Sequence, residues 1–361
     1  MKYANILLTV LMAILLGCTS PEEQGGLRQI TIDAGDDTET DLSELAEDVQ
    51  VIKLEVTDNS LVSRISNLAY NGKYIVVSDA RKVYVFSAEG DFLRVIGKSG
   101  QGPGEYYYVA SFAVDWKKNE LYLAANNRLI VYNIDGQLVN EIKIPVVRNI
   151  YHGSSGVRFI THDHGRKIPG STRLLNSTYL VSLTDQLEIA DSSLLRSTYV
   201  EGLKAMSMPN GLTFYSSDDR SNYVYYPVPL FYKDPVIRDT LYEHVGNELL
   251  ANAKLNFGIK DRLEQSFDLI SISKSKNYYL AKYRLGSSGR QALYSIDRDQ
   301  AYVSKDGFND DVYKSGPINL IPLNGAENLY YFVKEGPEMV DILDGATDED
   351  NPYLFLVKLK D

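Results

Sequence analysis

Thr161-His162-Asp163-His164-Gly165 is the densest set of metal-capable side chains in the sequence. Alternate residues of a strand share a face, so His162 and His164 could reach one ion together, whereas Asp163 could join them only from a loop. A stable site needs a third ligand, and His152 is the nearest in sequence. The plainer reading, a solvated polar turn ahead of Gly165-Arg166-Lys167, outweighs the metal, and no cofactor is expected. Gly97-Lys98-Ser99 imitates a phosphate cradle, but a P-loop needs glycine five residues earlier, where Phe92 stands. The residues that follow, Tyr106–Val114, read as strand and not as the helix a P-loop opens. No Gly-x-Ser-x-Gly elbow exists, and a Ser-His-Asp set is defined by geometry alone. Paired carboxylates for glycoside chemistry are equally unassignable among 48 acidic residues, because their separation in space decides their role. Asp344, Asp348, Glu349 and Asp350 form an acidic loop without the spacing of a calcium loop.

Aromatic side chains give a wider choice. Tyrosine occurs 27 times, with clusters at Tyr106-Tyr107-Tyr108, Tyr223-Val224-Tyr225-Tyr226-Pro227 and Phe231-Tyr232. A tyrosine offers a flat apolar face and a hydroxyl, suited to sugar rings and extended peptides. Most of the 27 must simply pack between sheets. Tyr223, Tyr225, Tyr226 and Tyr232 are the candidates for lining a ligand-binding face.

The N-terminus carries a chemistry of its own. Lys2 precedes an apolar run from Ile6 to Leu16, too short to span about 30 Å of hydrocarbon, so it reads as a secretory signal. It ends in Leu15-Leu16-Gly17-Cys18, which resembles the bacterial lipobox, with the Cys18 thiol as acceptor of a diacylglyceryl group. Cys18 is the sole cysteine, so the mature chain has none for disulfides, thiolate metal sites or thiol catalysis. Residues 1–18 are therefore assigned as lipoprotein signal, 19–26 as a flexible tether, and 27–361 as the folded domain. The formal net charge is −11, and loss of Lys2 takes the mature chain to −12. That balance lacks the broad basic surface needed to neutralise phosphates, so nucleic acid is excluded as a partner. Attachment to the membrane falls to the acyl chains alone.

The elements that must position these groups are short strands. Val83–Leu93 and Leu129–Val139 say nearly the same thing 46 residues apart: an apolar run, an acidic-Gly turn, a second apolar run. Glu89-Gly90 and Asp135-Gly136 supply the positive-φ residue of a hairpin. Strands are expected at Val49–Val56, Leu61–Tyr70, Tyr74–Ser78, Val83–Phe86 and Phe92–Ile96, with one helical turn near Leu42–Leu45. Tyr179–Leu183 with Asp185-Gln186-Leu187 is a third echo. A repeat of 40–50 residues with several strands marks a propeller blade. The span from Val49 to Asp361 holds about six such units at that period. The fold expected is all-β, a six-bladed β-propeller whose ring is closed by an N-terminal strand pairing with the C-terminal blade. Leu27–Asp33 is the strand expected to pair near Tyr353–Leu359, and Asn247–Leu255 reads as the one moderately helical stretch.

Gly97–Tyr106, Phe112-Ala113-Val114-Asp115, Asn119–Ala124 and Leu129–Tyr132 together resemble an NHL-type repeat. From end to end the chain is similar to the six-bladed β-propeller lipoproteins of Gram-negative gut anaerobes. The lipobox, Val51–Leu54, Gly-Gln-Gly-Pro-Gly-Glu-Tyr, Asp239–Tyr242, Leu255–Gly258 and Asn351–Leu354 occur in order. The third repeat departs from the consensus. The resemblance implies a fold and a location, the outer membrane, and Ser20-Pro21-Glu22-Glu23 resembles an acidic surface-export tag. The function expected is non-enzymatic binding or scaffolding, with a glycan, a peptide or an envelope protein as ligand. The alternative is a metal-dependent propeller hydrolase or lyase using His162 and His164.

Overall fold

The computed structural model describes residues 27–153, 156–201, 214–218, 220–227, 237–246 and 248–361. Cys18, the leader, the tether and Tyr232 lie outside the described residues. The described chain forms a six-bladed β-propeller of antiparallel sheets. Blade 1 comprises Asn67–Tyr70, Tyr74–Ser78, Val83–Ser87 and Phe92–Ile96, running from the axis outward. Blade 2 comprises Val109–Asp115, Glu120–Ala125, Arg128–Asn133 and Leu138–Lys143. Blade 3 has the longest strands, Val147–Gly153, Gly156–Lys167, Arg173–Leu183 and Ile189–Glu201, which is why its repeat departs from the pattern of the first two. Blade 4 comprises Phe214–Ser217, Asn222–Tyr225, Thr240–Val245 and Glu248–Asn256. Blade 5 comprises Phe267–Lys274, Tyr278–Leu285, Ser288–Ser295 and Gln300–Lys305. Blade 6 takes Ile321–Asn324, Leu329–Lys334 and Tyr353–Leu359 from the C-terminus and Ala46–Lys53 from the N-terminus.

Period-two patterning explains why these sheets stand as a ring. The central strands bury both faces, one against each neighbouring blade, while outer strands such as Leu138–Lys143 are largely exposed. In Asn222–Tyr225 and the residue after it, Tyr223 and Tyr225 pack toward blade 5 while Val224 and Tyr226 pack toward blade 3. The described core divides into six apolar clusters, each spanning one seam between adjacent blades. The seam between blades 6 and 1 holds Ile52, Leu354 and Leu356 against Ile75, Val77 and Phe86. A ring with every seam filled has no open sheet face at the join.

Closure uses an N-terminal strand, but a different one from Leu27–Asp33. Ala46–Lys53 pairs antiparallel with Tyr353–Leu359, from Ala46 opposite Leu359 to Lys53 opposite Tyr353. Arg28–Thr31 instead adds a parallel fifth strand to the outer edge of blade 4, beside Ala253–Asn256. Both segments alternate, and alternation identifies a strand without naming its partner. Between them the chain straps blades 4, 5 and 6. Ile30, Ile32 and Ala34 are buried in the seam between blades 4 and 5, and the Tyr283 hydroxyl donates to the Ala34 carbonyl at 3.1 Å. Arg290 then donates to the Asp36 carbonyl at 2.8 Å. The helical turn Leu42–Leu45 follows, its two leucines buried between blades 5 and 6. Glu248–Asn256 is a strand, not a helix, because it is paired on both sides. Ladder pairing outweighs the helical preference of its Leu and Ala residues.

The connector Gly97–Gly104 carries the chain from blade 1 to blade 2. Gly97 has φ +70°, and a Cβ there would come within 2.7 Å of the Tyr106 ring and of the Tyr132 hydroxyl oxygen. Glu141 accepts from the Gly104 N–H at 2.7 Å and from Arg128 at 2.6 Å. These glycines serve a tight crossing, not a phosphate.

Candidate functional site

The inner strands of blades 2 to 6 and the residues beside them enclose a cavity of about 430 Å³ in the central channel. That falls within the usual range for small-ligand sites, about 300–1,000 Å³. The wall is apolar in two stretches, Ala113, Val114 and Ile150 from blades 2 and 3, and Ile321, Pro322 and Leu323 from blade 6. Polar side chains supply the rest: Ser216, Ser217 and Asn222 from blade 4, Ser271 and Ser273 from blade 5. Arg158, Lys274 and Lys282 are the cations of the wall, and no carboxylate is part of it among the described residues.

The two lysines differ in how they are held. Lys274 ends the inner strand of blade 5 and is ion-paired with Asp218, both side chains being almost fully buried. Its ammonium also lies 4.7 Å from the centre of the Tyr223 ring and 5.9 Å from that of Tyr279. Asp218 accepts from the Arg220 and Ser221 N–H groups at 2.9 and 2.8 Å and from the Tyr223 hydroxyl at 2.9 Å. Burial works against its ionisation, but Lys274 and the two backbone donors outweigh it and hold the carboxyl below its ordinary value. This pair is a self-contained strut between blades 4 and 5. Lys282 is different. It stands in the second strand of blade 5, opposite Ser271 on one side and Gln291 on the other. Among the described residues its ammonium has neither an ion-pair nor a hydrogen-bond partner, and burial alone pulls its pKa below the ordinary lysine value.

His152 closes the wall from blade 3. Its Nε2 lies 3.2 Å from Asp115 Oδ2, and its ring stacks on Tyr122 with centroids 6.2 Å apart. Burial is the largest influence on the imidazole and, despite Asp115, holds its pKa below the ordinary value. Among the described residues no side-chain hydroxyl is hydrogen-bonded to this ring.

The sequence-derived candidates fall elsewhere. His162 and His164 share a face of the second strand of blade 3, their rings stacked at 5.4 Å. His162 Nδ1 lies 3.0 Å from the Thr178 hydroxyl. His152, the expected third ligand, is on the inner strand of blade 3 and contacts Asp115 of blade 2, and no group of three metal-capable residues converges among the described residues. Tyr223 and Tyr225 are buried in the seam between blades 4 and 5, and the Tyr225 hydroxyl donates to the Arg238 carbonyl at 2.8 Å. Tyr226 is buried toward blade 3 and its hydroxyl, without a partner among the described residues, borders a second cavity of about 380 Å³ with Arg196, Arg238 and Tyr242. In the acidic loop, Asp350 Oδ2 lies 2.9 Å from the ammonium of Lys53. Lys282 was missed, although a signal existed. In Tyr278–Leu285, Leu280 and Lys282 share a face, so a charge stands where alternation calls for an apolar residue.

A family model described as a domain of unknown function, DUF4934, matches residues 27–358. No curated protein matches the chain. A solved structure from Bacteroides fragilis NCTC 9343, described as that of a candidate exported protein, is similar at TM-score 0.66 and 17% identity, covering 93% of this chain and 100% of its own. A member of the DUF4221 family from Bacteroides vulgatus ATCC 8482 is similar at TM-score 0.52 and 13% identity, with 90% and 99% covered. At these identities the likeness carries the fold. No helix among the described residues is long and apolar enough to cross a membrane.

Proposed function

The chain belongs to the DUF4934 family, and from that membership and the channel geometry we propose that it is an exported, lipid-anchored propeller that binds a small ligand without transforming it. The observation that carries the binding role is the 430 Å³ channel cavity, apolar in part and lined elsewhere by hydroxyl, amide and cationic groups. Such a wall buries a flat ring against aliphatic side chains and orients it through a few polar contacts. The size suits one or two sugar rings or a very short peptide. Export and anchoring through Cys18 rest on the N-terminal sequence, and the similarity to a protein described as exported supports them. Placement in the outer membrane rests on the resemblance to propeller lipoproteins.

The test is to purify the full chain from its envelope in detergent, denature it, and analyse the released small molecules by mass spectrometry. A stoichiometric species released from the native chain and missing from Ser273→Trp, which fills the channel, is the result expected. Equal release from both would remove the channel as the site. Globomycin, which blocks lipoprotein signal cleavage, should leave a precursor retaining residues 1–17, and Cys18→Ser should abolish acylation; an unacylated mature chain in wild type would overturn the anchor.

A further inference from the structure

We propose that the channel ligand is an oxyanion, a carboxylate or phosphate borne on a small hydroxylated molecule, and that Lys282 is its principal charge partner. The inference rests on the channel-binding reading above and adds its chemistry. The chain carries 48 acidic against 37 basic residues, so a cavity wall drawn at random would contain carboxylates. This wall holds Arg158, Lys274 and Lys282 and, among the described residues, none. Two acids that follow lining residues in sequence are already paired, Asp218 with Lys274 and Asp115 with His152. Lys282 is left facing the cavity with no counter-charge from the described protein. Burying a charge without a partner is costly, and a fold that keeps one at a concave site has a use for the missing partner.

Position supports the same assignment. Lys282 and Ser271 are cross-strand neighbours in blade 5, and both line the cavity, so an oxyanion on the ammonium would meet the serine hydroxyl beside it. On the far side of Lys282, Gln291 is committed: it donates to the Leu320 carbonyl at 2.9 Å and accepts from the Leu320 N–H at 2.8 Å. That lock holds the adjoining strand, Ser288–Ser295, against the residue that leads into blade 6. Ser217 and Asn222 line the cavity from the neighbouring blade 4 and suit the hydroxyls of the ligand. The apolar residues Ile321, Pro322 and Leu323 suit the carbon face of a ring.

The experiment compares three probes on one scaffold, D-glucose, D-glucuronate and D-glucose 6-phosphate, by isothermal titration calorimetry at pH 7. Wild type is expected to bind glucuronate or glucose 6-phosphate at least tenfold tighter than glucose, and the preferred anion identifies carboxylate or phosphate as the source. Lys282→Met should lose at least tenfold in affinity for that anion while melting no lower than wild type, and Lys282→Arg should retain most of it. Glucose bound as tightly as the anions, with Lys282→Met unchanged, would overturn the oxyanion assignment and leave channel binding intact. Binding of none of the three by wild type also overturns it; the channel reading itself then stands or falls on the ligand released from the native chain.

Discussion

Asn351 offers the sharpest test of how the ring is held shut. Its side chain is 2% exposed and lies between the C-terminal strand and the segment that follows the closing strand. Its Oδ1 accepts from the Val62 N–H at 2.8 Å, and its Nδ2 donates to the carbonyls of Glu55 at 2.9 Å and Ser60 at 2.7 Å. Asn351→Ala removes one acceptor and two donors from a site that water reaches poorly. The orphaned Val62 N–H costs roughly 2 kcal/mol, and the two carbonyls roughly 1 kcal/mol together, since each keeps a second lone pair. The expected loss is about 3 kcal/mol, a large share of the 5–15 kcal/mol that typically separates folded from unfolded domains. Urea denaturation followed by the fluorescence of Trp116, the sole tryptophan, measures it. The midpoint should fall with little change in slope, because the loss is local and the ring unfolds as one unit. A loss under about 1 kcal/mol would refute the reasoning, since it would mean that water replaces all three bonds at no cost.

Three further outcomes follow from the same seam and from the titrating groups. Gly90 has φ +100°, and a Cβ there would lie 2.2 Å from the Lys53 carbonyl oxygen, whereas one at Gly136 meets nothing closer than 3.8 Å. Gly136→Ala should cost about 1–2 kcal/mol for the left-handed backbone, and Gly90→Ala roughly 1–3 kcal/mol more for the clash; equal losses by thermal melting would contradict the packing. Burial opposes ionisation of Asp350, but hydrogen bonds from Lys53, Tyr353 and the Thr347 N–H outweigh it and set its pKa at about 2. A carboxyl depressed in the folded state stabilises it above the ordinary value of 3.8 and loses that effect as pH falls toward 2. Lys53→Met should therefore shift the acid-unfolding midpoint upward, and an unshifted midpoint would count against the pairing. His152 and His244 are both held below 6.5, chiefly by burial. The unfolded chain then takes up protons that the folded chain refuses, so stability should decline as pH falls below 6.5. His244→Gln should flatten the slope measured by urea titrations at several pH values; an unchanged slope would exclude His244 as a contributor.

Much of the architecture was legible in local patterning. Tyr74–Ser78 and Phe92–Ile96 form strands with the expected bounds, and Gly90 and Gly136 take positive φ in the turns that the repeated motif requires. Which strand closes the ring was not legible, because Arg28–Thr31 and Ala46–Lys53 both alternate and only tertiary pairing separates them. Glu248–Asn256 misled through its Leu and Ala content, since helix preference is local and a place between two strands is not. Tyr223, Tyr225 and Tyr226 drew attention as a cluster, and the blade divides them: Tyr223 and Tyr225 fill the seam with blade 5, while Tyr226 borders the second cavity. The channel residues come from five separate blades. No spacing rule brings Arg158, Ser216 and Lys282 together; only the ring does. A lysine within Tyr278–Leu285 was a local sign of that wall.

The most direct measurement is the titration of Lys282 itself, by NMR of lysine labelled with carbon-13 at Cε and assigned with Lys282→Arg. A closed ring that leaves this ammonium in the channel without a counter-charge among the described residues puts its midpoint below 10.5, and a bound oxyanion moves it back up. A midpoint coincident with those of exposed lysines, unmoved by glucuronate or glucose 6-phosphate, would contradict the account.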